Sequence, residues 1–275
     1  MIRVAAAFLF LGCLAGHAIA RPPVATPTPL RRAHAHNDYA HTRPLLDALE
    51  QGFCSVEADI YLSELGLLIG HLPWEVKAGR TLEKLYLDPL RERARANNNR
   101  IYPGQATFYL LIDVKTDAAR SYAALATVLE RYADILTVTR EGKTETKAVT
   151  VVISGNCDRN AIRQQKVRYA AIDGRPADQD SDSPPDLLPW ISASWRSQFR
   201  WMGTGPMPVA ERTKLREYVA RVHKHHRLVR FWGAPDQPAV WQELLNADVD
   251  LINTDHLPEL KTFLTEAGKK PRSQN

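Results

Sequence analysis

The sequence predicts an α/β chain folded as a single (β/α)8 barrel, and three observations carry that reading. Apolar, β-branched-rich runs recur along the chain, helix-favouring stretches separate most of them, and no internal Pro/Gly/Ser linker divides the chain. The folded part holds about 235 residues, enough for one large core.

Before the barrel, residues 1–20, MIRVAAAFLFLGCLAGHAIA, read as a secretory signal peptide with an Ala-x-Ala cleavage pattern ending at Ala20. Lipid anchoring at Cys13 ranks second, because Phe10 and Leu11 suit a lipidated cysteine poorly. Residues 21–32 are Pro-rich and read as an extended linker, and residues 268–275 as a disordered tail, so the barrel is assigned to 33–267. The expectation is an exported protein, periplasmic or secreted, that exists as a monomer.

The strands are expected at 32–37, 53–61, 107–115, 148–154, 168–173, 188–194, 227–232 and 249–254. Helices are expected at 43–51, 81–97, 117–135, 210–225, 238–246 and 258–267. The stretch DGRPADQDSDSPPD is loop-like, so irregular or missing helices are expected in the 155–190 region.

Side-chain parity sorts the residues of each strand. In CSVEADIY, Cys54, Val56, Ala58 and Ile60 share one face, while Ser55, Glu57, Asp59 and Tyr61 share the other. In FYLLIDVK, the apolar face is Phe108, Leu110, Ile112 and Val114, and the opposite face turns polar at Asp113 and Lys115. The carboxyl ends of parallel barrel strands are where active sites are built. A hairpin centred near positions 64 and 65 returns His71 to the level of residue 58 or 59. Glu57, Asp59, Asp113, His36, His71 and Lys115 then meet at one mouth. Asp113 and Lys115 also fit a plain internal ion pair, and His34 an ordinary barrel-filling residue. In VRFWGAP, Arg230 and Trp232 share a face near a strand end.

The formal charge of +5, which becomes +4 without Arg3, is too mild and scattered for nucleic acid; at most, weak attraction to an anionic membrane surface is expected. Cys54 and Cys157 fall at opposite ends of their strands, so no disulfide is expected between them.

The order His36, Glu57-x-Asp59, His71, Asp113-x-Lys115, then RFWGAP and VDLINTDH, resembles the glycerophosphodiester phosphodiesterase and phosphatidylinositol phospholipase C-like superfamily. HNDY, RPLLDALEQGFCSVEADIYL, LLIGH and TLEKLYLDPL resemble most its branch around altered inheritance of mitochondria protein 6, which also has exported bacterial members. The resemblance spans about residues 33 to 260 and is thin from 120 to 225.

What the resemblance implies is a metal-dependent phosphoric diester hydrolase acting on a phosphodiester small molecule or phospholipid head group. It implies acid–base roles for His36 and His71, and metal ligation by Glu57, Asp59 and Asp113. Lys115 and Trp232 would contact substrate, and a neighbouring substrate hydroxyl would attack first to give a cyclic phosphate. The usual His-Arg-Gly is His36-Asn37-Asp38 here, so Asn37 or Arg230 would have to replace the phosphate-contacting arginine. The second motif's His-Asp is His71-Leu72, and the third acidic ligand is aspartate, as in the sphingomyelinase D-like branch.

The chemistry agrees: an oxygen-only set suits one Mg²⁺ or Ca²⁺ better than zinc, and imidazoles free of metal titrate near pH ~6.5. Two other classes remain open. A zinc amidohydrolase-like barrel is suggested by His34-Ala35-His36, and a catalytically inactive lipid- or carbohydrate-binding barrel is the other.

Overall fold

The computed structural model describes residues 27–269, so the expected signal peptide, Cys13 and the end of the tail lie outside the described residues. In chain order the strands are β1 Leu30–Ala35, β2 Phe53–Ser63, β3 Gly66–Ile69, β4 Phe108–Val114, β5 Val138–Arg140, β6 Lys143–Glu145, β7 Val149–Gly155, β8 Val167–Arg168, β9 Ala170–Gly174, β10 Trp190–Ser194, β11 Leu228–Trp232 and β12 Ile252–Thr254. The helices are α1 Leu46–Gln51, α2 Asp88–Ala96, α3 Ala118–Glu130, α4 Arg159–Gln164, α5 Trp195–Gln198, α6 Val209–His223, α7 Pro238–Asn246 and α8 Leu257–Lys269.

Eight of these strands run parallel in the order β11-β10-β9-β7-β4-β2-β1-β12. A bridge between Arg230 and Leu251 brings the two ends together into a nearly closed barrel. The predicted fold class is therefore the observed one. Its first strand begins at Leu30, so three residues assigned to the linker belong to the barrel, while α8 reaches into the segment assigned to the tail.

Two apolar layers hold the barrel. Outside, the faces of β2 and β4 that carry Val56, Ala58, Ile60, Leu110 and Ile112 are buried against the helices. Inside, Leu111, Val152, Ala171, Trp190 and Leu251 form a floor, with Tyr109 packed against Trp190 at 5.2 Å. Two residues further along each of these five strands the inward side chain is polar: Asp113, Ser154, Asp173, Ser192 and Asn253. The floor thus lies directly beneath a polar mouth.

The β2–β3 hairpin has the expected register, with Ser63 opposite Gly66 and Ile60 opposite Ile69. The Gly70 amide donates to the Asp59 carbonyl at 3.2 Å, so His71 arrives beside the mouth. Helix starts follow local chemistry. The Asp117 carboxylate accepts from the Arg120 amide at the start of α3, Asp158 does the same for Ala161 in α4, and Pro238 opens α7.

The irregular 155–190 region has a short α4, and no α-helix joins β9 to β10. That crossover holds a 3₁₀ turn at Pro176–Asp178, and the buried Arg227 guanidinium donates to the carbonyls of Asp178, Gln179, Ser181 and Ser183. These bonds satisfy backbone acceptors that a helix would otherwise satisfy. The expected strand 168–173 is divided: Val167–Arg168 pairs with β5, and the barrel strand begins at Ala170. The antiparallel sheet of β5, β6 and β8 was not anticipated. Its hairpin turns through Glu141 and Gly142, both at positive φ, which favours a tight two-residue turn. Cys54 and Cys157 are free thiols.

Candidate active site

Glu57 and Asp59 stand two residues apart on the inner side of β2, and Asp113 lies opposite Asp59 in the register with β4. Each of the three offers a carboxyl oxygen within 4.8 Å of the others'. The approach depends on a glycine: at Gly155 (φ +66°), a Cβ atom would stand 2.4 Å from Asp113 Oδ1.

Each carboxylate is held differently. Glu57 Oε2 accepts from Arg230 Nη2 and from His34 Nε2 at 3.3 Å. Burial opposes its charge, but the Arg230 guanidinium and the His34 bond keep its carboxyl well below the usual range. Asp59 Oδ2 lies 2.9 Å from the Tyr39 hydroxyl, 2.8 Å from His71 Nδ1 and 3.0 Å from Lys115 Nζ. Asp59 Oδ1 is buried with no hydrogen-bond partner among the described residues. Burial and the Glu57 charge push the Asp59 carboxyl up, against Lys115. Lys115 also lies 3.0 Å from Asp113 Oδ1; burial disfavours its charge, but the two aspartates more than offset that. An orphaned buried oxygen among all-oxygen donors fits a hard divalent cation, so these residues suit Mg²⁺ or Ca²⁺.

The two predicted imidazoles flank this cluster. His36 lies just past β1, where its amide donates to the Thr254 carbonyl at 3.1 Å. Its Nδ1 is 2.8 Å from Asp255 Oδ1. Asn37 Nδ2, a donor, also lies 2.9 Å from this nitrogen, but the shorter contact is to a carboxylate, which only accepts, so Nδ1 is assigned the proton and Nε2 is left without it. Burial works against the imidazolium, yet the Asp255 bond and the Glu57 charge hold His36 above the ordinary histidine value. His71 donates its Nδ1 proton to Asp59 by the same reasoning and stacks on Tyr39, with ring planes 8° apart. Both rings therefore keep Nε2 available.

A cavity of about 1030 Å³ opens over the cluster. Its lining includes His36, His71, Glu57, Asp113, Lys115 and Trp232, the last 45% exposed at the rim. Asn37 and Arg230 also line it, with several of their polar groups already engaged. Asn37 Nδ2 lies 3.3 Å from Asp255, and its Oδ1 accepts from Tyr39 at 2.5 Å. Arg230 is 3% exposed and spans Glu57 and Asn253, so its charge is committed to a carboxylate. Sequence reasoning missed Tyr39 and Asp255, although both sit in quoted motifs. It also missed the wall of Ser154, Asp173 and Ser192, whose signal is one polar residue two places after each floor residue, and Arg175, two places further on from Asp173.

His34 settles one alternative. It is fully buried, with Nδ1 2.7 Å from Ser55 Oγ and Nε2 on Glu57. Burial and Arg230 lower it to about 4, so it is neutral. Both ring nitrogens are occupied, and the histidine pair expected of a zinc amidohydrolase-like barrel is not presented.

Fold and site together define a parallel α/β barrel with paired imidazoles around a carboxylate cluster. The description AIM6-like phosphodiesterase domain matches residues 26–173, and Glycerophosphoryl diester phosphodiesterase family matches residues 229–258. The chain belongs to the AIM6-like phosphodiesterase domain family. Altered inheritance of mitochondria protein 6 of Eremothecium gossypii is 30% identical over 271 residues, which cover 85% of this chain and 69% of that protein. A homolog from Arthroderma benhamiae is 24% identical, covering 84% and 82%.

Among solved structures, a glycerophosphodiester phosphodiesterase from Parabacteroides distasonis superposes with a TM-score of 0.55 at 13% identity, covering 88% of this chain and 100% of that one. A calcium-dependent phosphoinositol-specific phospholipase C from Pseudomonas sp gives 0.52 at 14% identity, covering 85% and 92%. These two establish the likeness of fold.

The relatives correct the expectation of an exported bacterial protein. Those matched are fungal proteins named for altered inheritance of mitochondria, which points to proteins of eukaryotic cells. Among the described residues no helix is long and apolar enough to cross a membrane.

Proposed function

We propose that this chain is a metal-dependent phosphoric diester hydrolase acting on a glycerophosphodiester or phospholipid-type substrate. In this reading His36 and His71 transfer protons, and Glu57, Asp59 and Asp113 hold one Mg²⁺ or Ca²⁺. The observation that carries it is the pair of carboxylate-anchored imidazoles on either side of a three-carboxylate cluster with an orphaned oxygen. Membership of a phosphodiesterase-domain family and likeness to the two barrel structures support it.

The charges are consistent with a diester. The three carboxylates against Lys115 and Arg230 leave one net negative charge, which a dication turns into one net positive charge, matching a monoanionic phosphodiester. When bound, the cation supplies charge neutralisation at the non-bridging phosphoryl oxygens. One imidazole Nε2 takes the proton of the attacking water or substrate hydroxyl. The other imidazole, as imidazolium, gives a proton to the leaving alkoxide. Asp255 and Asp59 fix the tautomers, Lys115 holds the phosphoryl group, and Trp232 packs on the organic part at the rim.

Turnover of bis(p-nitrophenyl) phosphate tests this directly. Chelation should abolish activity, and Mg²⁺ or Ca²⁺ should restore it. Turnover indifferent to chelator, or restored by zinc alone, would contradict the assignment.

A further inference from the structure

The part of the cavity wall built by β7, β9, β10 and β11 has no place in the proton-transfer chemistry. It is lined by Ser154, Arg175, Ser192, Ser194, Arg230 and Trp232, with no acidic residue among the described lining on that side. Arg175 is fixed from behind. Its Nη1 donates to Asp173 Oδ2 at 2.6 Å and its Nη2 to Ser154 Oγ at 3.0 Å. Asp173 is itself buried, pinned by Trp190 Nε1 at 2.7 Å and by Ser154 Oγ at 2.9 Å. Two bonds leave further N–H groups of the guanidinium fork, and its side chain is 40% exposed. Ser192, beside Arg230 in the register of β10 with β11, is fully buried from bulk solvent, and its hydroxyl has no partner among the described residues.

Asp113 stands opposite Ser154, and Ser154 precedes the Asp173–Arg175 pair by one strand. The Arg175 guanidinium reaches back to Ser154, the residue paired with Asp113, so it stands on the wall about one strand spacing, ~5 Å, beyond the carboxylate cluster. From there its remaining N–H groups face the side of the cavity that the organic substituent of a phosphoryl group held at the cluster would occupy. A donor-rich wall with no available carboxylate suits an acceptor-rich anion better than a polyol, whose hydroxyls need acceptors as well as donors.

Resting on the phosphodiesterase reading above, we propose that Arg175 and Ser192 form a subsite for a negatively charged group, a carboxylate or phosphate, on the organic part of the substrate.

The test uses two p-nitrophenyl phosphodiesters that differ at one carbon, one of glycerol and one of glycerate. The glycerate ester should be preferred by ~10-fold or more in kcat/KM. Arg175→Gln should erase the preference while leaving bis(p-nitrophenyl) phosphate turnover within about 3-fold. Ser192→Ala, which disturbs no bond, should reduce the preference in part. Arg175→Lys serves if the glutamine variant fails to fold, and should keep part of the preference. Equal use of both esters by the unaltered protein, or an equal loss for both in the variants, would overturn the subsite. Titration of both esters into His36→Ala protein reads the same preference without turnover. A preference retained there with no hydrolysis by the unaltered protein would strike the phosphodiesterase reading alone.

Discussion

The two sides of the barrel mouth are built alike and charged differently. On β1 to β4, polar residues above the floor are carboxylates and imidazoles, each pinned by a partner from a neighbouring strand. On β7 to β11 they are hydroxyls and the guanidinium groups of Arg175 and Arg230, and the carboxylate of Asp173 is buried in bonds to Arg175, Ser154 and Trp190. One side carries the carboxylates and imidazoles on which the proposed cation site and proton transfer rest; the other offers guanidinium and hydroxyl groups, which are mostly hydrogen-bond donors. In the reading proposed above, a single fold separates chemistry from recognition by which strand carries which charge.

The largest effect expected on the first side is structural. Arg230→Met leaves Glu57 buried without its cation and should cost about 3–5 kcal/mol in denaturant unfolding of the metal-free protein. A loss below ~1 kcal/mol would mean that Arg230 is free for substrate, as the sequence reading supposed. Next, Asp113→Asn should weaken Mg²⁺ or Ca²⁺ binding, with excess cation recovering part of the activity. Unchanged cation affinity would remove Asp113 from the ligand set.

A pH measurement sharpens the contrast further. Asp255 stabilises the imidazolium of His36, so Asp255→Asn should move the limb of the kcat/KM profile belonging to His36 to lower pH. A limb that stays in place would show that the 2.8 Å contact does not set the basicity of His36.

A further test concerns Asp38, beneath the same side, where burial raises the carboxyl to about 7. A raised carboxyl binds its proton more tightly in the folded state, so the folded protein loses stability as pH rises from ~4 through 7. Asp38→Asn should therefore gain thermal stability at pH 8 and differ little at pH 4. Its carboxylate accepts the Leu45 amide at 2.5 Å, so a loss at pH 8 would show that this bond outweighs the buried charge.

These two sides also differ in how far the sequence reveals them. Glu57, Asp59 and Asp113 were readable because each shares a strand with a wholly apolar opposite face, and His71 because a turn signal set the hairpin register. Asp255 follows the last strand and meets His36 only because the barrel nearly closes, a contact 219 residues apart that no local pattern encodes. Arg230 was placed on the correct face, but its bond to Glu57, on a strand 173 residues earlier, has no local signal in the sequence. The wall of Ser154, Arg175 and Ser192 stayed hidden since serines on strands are unremarkable until the floor beneath them is known. The β5–β6–β8 sheet went unread because its strands are two or three residues long.

The central claim, that imidazoles move protons while carboxylates hold the cation, is tested most directly by His36→Ala. Calorimetric titration should give an affinity for Mg²⁺ or Ca²⁺ close to that of the unaltered protein, while kcat on a phosphodiester falls by ~10²-fold or more. Loss of cation binding in that variant, or retention of full activity, would contradict the account.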